Sequence, residues 1–181
     1  METTHLPLFM MQVRFPEYFR KFDSYFSFMA VRNPFARFLS GFNEVNQETY
    51  AEYVQSGDVS RYRHEVNRFA LDMPAEAIRG WDFNYRHFVR QADFAYLGRK
   101  NLVDVIIRIE EQDKGLDKVA LFDPEVAARL REAPPLRSRP VKFPLAELLD
   151  PGTVKKLIEL YERDFVLFGY EQFVPEATVT E

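Results

Sequence analysis

The sequence predicts an α/β fold in which a small parallel sheet is flanked by many helices. Tyr25 to Val31 is almost continuously apolar or small, as expected of a strand covered on both faces. Leu102 to Ile109 is a second dense run rich in β-branched residues. The long tract between them carries helical rather than alternating periodicity. With 181 residues and 46% hydrophobic content, the chain fits a single domain that buries roughly 70% of its unfolded surface. Eighteen Phe and nine Tyr supply a large aromatic core, so disorder is expected only at the ends.

The elements follow in order. Pro16 to Asp23 reads as a short helix feeding the first strand, which stops at Arg32. Asn33 is a favoured N-cap, and Pro34 at the first helical position forfeits only an N–H that would be unpaired there anyway. From that point Phe35, Phe38, Leu39, Phe42 and Val45 recur at helical spacing as the predicted buried stripe, with Ser40, Asn43, Glu44 and Gln47 off it. Glu48 to Gln55 and Val59 to Leu71 read as helices, the second with Tyr62, Val66, Phe69 and Ala70 on one face. Trp81 to Phe94 is aromatic-rich and reads as a loop and a short helix crossing the sheet. After the second strand, Asp123-Pro124 repeats the cap logic of Asn33-Pro34 for a helix reaching about Arg131. Glu132 to Pro144 holds four prolines and reads as an irregular loop. Asp150-Pro151 opens one last long helix whose stripe is Val154, Leu157, Ile158, Tyr161, Phe165 and Phe168, closed by Gly169 as a left-handed C-cap. Residues 1–170 are expected to form the domain and 171–181 a flexible tail.

The junction at Arg32 carries the chemistry. Where a strand hands over to a helix N-terminus, exposed N–H groups and the helix dipole favour an anion, and a guanidinium adds a bidentate fork for phosphate. Ser40 lies on the following helix beside Gly41, where a hydroxyl can reach the same anion. The same residues also admit a purely structural reading, in which Arg32 caps a neighbouring helix or pairs with a carboxylate.

Val31-Arg32-Asn33-Pro34-Phe35-Ala36-Arg37-Phe38-Leu39-Ser40-Gly41-Phe42 resembles the 3′-phosphate-binding segment of carbohydrate sulfotransferases that use the donor PAPS. In that family an arginine and a serine eight residues later grip the donor's 3′-phosphate; carried over, these are Arg32 and Ser40. Asp104 to Glu110 is similar to the family's late strand ending in an acid, and Tyr161 to Tyr170 to its closing Y-x-x-D-F-x-x-F-G-Y helix. The resemblance therefore runs from about His5 to Tyr170. It implies a P-loop-NTPase-like sulfotransferase fold, PAPS as donor with PAP as product, a carbohydrate acceptor and no metal. A loop in the region of Glu132 to Pro144 commonly closes over the nucleotide in such enzymes, and Arg137, Ser138 and Arg139 are its candidates here; the other reading is an ordinary surface connection. One departure is large. The family's opening strand and P-loop-like turn, which hold the 5′-phosphosulfate, have no counterpart before the Arg32 strand, where residues 1–24 contain no glycine. The expectation is an N-terminally truncated form or a relative that has lost that half of the donor site.

Sulfuryl transfer needs a base for the acceptor hydroxyl, and histidine titrates nearest neutrality. His5 lies 27 positions before Arg32, where relatives with a histidine base carry it, and His87 sits in a segment resembling the family's H-F-x-x-Q at the acceptor cleft. His64, among charged residues, reads as a surface residue.

Composition narrows the classes further. A net charge of −4 argues against broad nucleic-acid binding, which needs a basic face. Arg61, Arg63, Arg68, Arg86, Arg90, Arg99 and Lys100 concentrate mid-chain and read as solvated faces paired with nearby acids. The absence of cysteine excludes disulfides and cysteine-based zinc sites and suits a reducing compartment. No run approaches a membrane span and no signal-peptide pattern opens the chain, so a cytoplasmic location is expected. The leading expectation is a PAPS-dependent sulfotransferase lacking its 5′-phosphosulfate loop. The alternatives are a noncatalytic nucleotide-binding or assembly relative, and a mainly helical interaction domain without a ligand.

Overall fold

A computed structural model describes residues 6–79, 82–133 and 144–174. The chain clusters into two compact units, Met1–Asn33 with Arg90–Arg137 and Pro34–Val89 with Ser138–Glu181. The result is a helix-rich α/β fold with a small parallel sheet, as predicted.

The sheet belongs to the first unit. Phe28–Val31 pairs in parallel with Val105–Arg108, in a register running from Phe28↔Val105 to Val31↔Arg108. Val105 donates its N–H to the carbonyl of Ser27 at 3.1 Å. Because alternate residues of a strand point their peptide groups to opposite sides, Met29 and Val31 address the partner strand while Phe28 and Ala30 address the outer edge. Both edge residues are exposed. Asp104 pins the start of the ladder: its carboxylate accepts from the Ser27 N–H at 2.8 Å and from the Ser27 hydroxyl at 2.9 Å.

The helices Gln112–Ala120 and Pro124–Glu132 supply the hydrophobic cover, with Leu116, Val119 and Ala127 buried together with Val105 and Ile107. Asp123 caps the second helix as expected, accepting from the N–H groups of Glu125 and Val126. The first of these two helices is not predicted from the sequence, and Gly115 explains how it can lie so close to the strand. A Cβ at that position would stand 2.6 Å from Ile107 Cγ2 and 3.1 Å from Ile107 Cα. A tight antiparallel pair, Tyr96–Leu97 with Lys100–Asn101, turns through Gly98 at φ +61°.

In the second unit the Pro34–Val45 helix buries Phe35, Phe38, Leu39 and Phe42, while Val45 is exposed. Asn43, expected off the stripe, is instead buried and accepts a 2.6 Å hydrogen bond from the Tyr62 hydroxyl. Phe38, Phe42, Phe69 and Phe88 form one continuous ring cluster, and Tyr53 stacks on Tyr62 at 4.3 Å. Asp150 is the N-cap residue of the closing segment, its carbonyl accepting from the Val154 N–H at 2.9 Å, but its side chain makes no capping hydrogen bond. It pairs with Arg63 at 2.5 Å, and its N–H donates to Asn67 Oδ1 at 2.8 Å.

The predicted last helix is two helices, Pro151–Leu160 and Glu162–Phe168, because Tyr161 leaves the helical region at φ −108° and ψ 20°. Its ring is buried and its hydroxyl donates to the Phe88 carbonyl at 2.9 Å. Gly169 closes the second helix at φ +68°, the left-handed cap the sequence predicts.

Candidate functional site

Arg32 is the first residue beyond the Phe28–Val31 strand, and the ladder that ends at Val31↔Arg108 cannot serve its peptide groups. A side chain takes over that task. Gln91 accepts from the Arg32 N–H through Oε1 at 2.8 Å and donates to the Arg32 carbonyl through Nε2 at 2.8 Å. One residue further on, Glu110 Oε1 accepts from the Asn33 N–H at 2.6 Å. The strand-end turn is therefore held by two side chains from distant parts of the sequence, while Arg32 itself remains half-buried.

The register puts Arg108 at the same carboxyl edge of the parallel pair as Arg32. Ligands of open α/β sheets bind outside such edges. Sequence reasoning passed over Arg108. The available signal was its place at the end of the second dense run, the same place that singled out Arg32 in the first.

Ser40 lies in the second unit, exposed on the Pro34–Val45 helix. Gly41 beside it is buried against Phe88: a Cβ there would stand 3.0 Å from the Phe88 ring and 3.4 Å from the His87 carbonyl. The glycine thus serves close packing, and it brings the Ser40–Gly41 and His87–Phe88 stretches together. His87 is half-buried at the end of the 3-10 turn Phe83–Phe88. Arg37, the second arginine of the resembling segment, donates from Nη2 to the Val89 carbonyl at 2.8 Å. With Tyr161 on Phe88, the two adjacent carbonyls ahead of Gln91 are both held by side chains of the second unit.

Burial pushes the Tyr161 phenol far above its ordinary value; Arg37 pulls it down in part and Asp164 pushes it up. Burial likewise raises Tyr62, against the pull of its Asn43 hydrogen bond. Both phenols are protonated at neutral pH and serve as hydrogen-bond donors, not bases.

Of the mid-chain cations, Arg61, Arg63, Arg68 and Arg90 pair with Glu52, Asp150, Glu65 and Asp93, which fits the expectation of charged faces paired with nearby acids. His64 is exposed, as read from the sequence. His5, Arg137, Ser138 and Arg139 lie outside the described residues.

A family model for the sulfotransferase family matches residues 7–171, nearly the whole chain, and the protein belongs to that family. No curated protein and no solved structure matches it. Among the described residues no helix is long and apolar enough to cross a membrane.

Proposed function

We propose that the chain binds the 3′-phosphate end of PAPS through Arg32 and serves sulfuryl transfer to a carbohydrate hydroxyl. The observation that carries this reading is the fixed strand-end turn, with the Arg32 backbone gripped on both sides by Gln91. A phosphate bearing nearly two charges about 4 Å from a guanidinium gains on the order of several kcal/mol at an effective dielectric near 20. That interaction anchors the nucleotide without lowering the barrier.

In the transfer itself the acceptor oxygen bonds to sulfur as the sulfur–oxygen bond to the 5′-phosphate breaks. PAP departs with the bonding pair and the hydroxyl proton passes to a base. His5 and His87 are the candidates for that base. Arg137, Ser138 and Arg139 are candidates for closing over the nucleotide. Rate enhancement requires preorganised cations at the departing phosphate oxygen. A second reading is a relative that binds nucleotide without catalysis.

Titration calorimetry with adenosine 3′,5′-bisphosphate tests the shared part of both readings. The wild-type chain is expected to bind, and Arg32→Ala to weaken binding at least about tenfold, the loss of one charge-assisted contact. Equal affinity in the two proteins removes the site. Labelled PAPS with a panel of sugars separates the two readings, since turnover above background that His87→Gln or His5→Gln abolishes requires the catalytic one.

A further inference from the structure

We infer that Gln91 is a positioning residue for Arg32: its side-chain amide substitutes for a neighbouring strand and presets the direction of the anion-binding guanidinium before any nucleotide arrives. The inference deepens the function proposed above and rests on it. Buried or half-buried backbone donors and acceptors need partners, and at Arg32 the parallel ladder has run out. A primary amide is the one uncharged side-chain group that offers a donor and an acceptor side by side, as a peptide group does. Gln91 presents both to the same residue, each at 2.8 Å, and is itself only 4% exposed.

The clamp is mounted on a fixed base. The Gln91 carbonyl accepts from the Phe94 N–H at 3.0 Å, the first turn of the Ala92–Ala95 helix. Arg90, immediately before it, pairs through Nε with Asp93 Oδ2 at 2.9 Å, and Asp93 is buried. Glu110 holds the next peptide, Asn33, from the other strand's end. A residue held at both its N–H and its carbonyl has little freedom in φ and ψ, so the guanidinium departs from a set point. Anchoring of that kind limits the ordering cost that ligand binding would otherwise incur. Methionine at position 91 keeps the volume and removes both hydrogen bonds.

The experiment is a double-mutant cycle on the full chain, read by calorimetry with adenosine 3′,5′-bisphosphate, using wild type, Gln91→Met, Arg32→Ala and the double variant. Gln91→Met is expected to weaken binding about tenfold, and the double variant to bind no more weakly than Arg32→Ala alone, because the two residues act through one contact. Wild-type affinity in Gln91→Met, or losses that simply multiply, overturns the positioning role; a merely structural glutamine gives the multiplying result. Amide hydrogen exchange in the unaltered protein supplies a second reading that survives a misfolded variant. The Arg32 amide should already be protected without ligand, to the level seen with it. Free exchange that becomes protected only on binding shows that the clamp is not preset. If Arg32→Ala leaves affinity unchanged, or the wild type binds no nucleotide, the proposed function falls and the positioning role with it. If Arg32→Ala weakens binding and Gln91→Met does not, only the positioning role falls.

Discussion

Gly115 shows how much one hydrogen can decide in this chain. It stands in the middle of the Gln112–Ala120 helix, where glycine costs about 1 kcal/mol against alanine by intrinsic propensity. Propensity alone therefore favours Gly115→Ala. Packing opposes it, because the new methyl would overlap the side chain of Ile107 and press on its Cα. Overpacking costs typically about 1–3 kcal/mol, and a contact this close to Ile107, its Cα included, belongs in the upper part of that range, about 2–3 kcal/mol; less the propensity gain of about 1 kcal/mol, the net effect should be destabilising by about 1–2 kcal/mol. Chemical denaturation of wild type and Gly115→Ala checks this, and a variant as stable as wild type would mean that the helix and strand separate freely. The same glycine also hides its helix from the sequence. Leu116, Val119 and Ala120 do recur at helical spacing, but charges and a mid-helix glycine break up the pattern. Gln91 is hidden for another reason: its partner is 59 positions away and an amide leaves no periodic trace. Arg32 was legible because a cation between an apolar run and an Asn-Pro cap is a local signal, and local signals are what a single sequence carries.

At the scale of elements, the two dense apolar runs were legible as strands because each is uncharged through its centre and bounded by polar residues. Their pairing in parallel gives a sharp expectation. Met29 and Val31 direct their N–H groups into the ladder, whereas Phe28 and Ala30 direct theirs to an edge that has no strand partner among the described residues. Exchange of the four amides should therefore alternate, slow at Met29 and Val31 and fast at Phe28 and Ala30. Uniform protection along the four residues would show that the outer edge is covered in solution. The break at Tyr161 was not legible, since Leu157, Ile158, Tyr161, Phe165 and Phe168 keep helical spacing straight through it. Periodicity reports which side chains face inward, and a single residue can leave the helix without disturbing that face.

For the whole molecule, the buried phenols of the second unit set its response to alkali. Tyr62 and Tyr161 each donate a hydrogen bond from a buried position, to Asn43 and to the Phe88 carbonyl. Burial raises both above the ordinary tyrosine value of about 10 that the unfolded chain displays. The folded state therefore holds these protons more tightly than the unfolded state, and linkage fixes the sign. Their contribution to stability is complete below about pH 10 and falls as the pH climbs beyond it. In a spectrophotometric titration of the nine tyrosines, Tyr62 and Tyr161 should ionise only as the second unit unfolds. Tyr62→Phe and Tyr161→Phe should each remove one late-ionising phenol. Each substitution should also lower stability at neutral pH by about 1–2 kcal/mol, because Asn43 or the Phe88 carbonyl is left buried without its donor. Ionisation of Tyr62 and Tyr161 near pH 10, with the fold intact, would contradict the burial on which both hydrogen bonds depend.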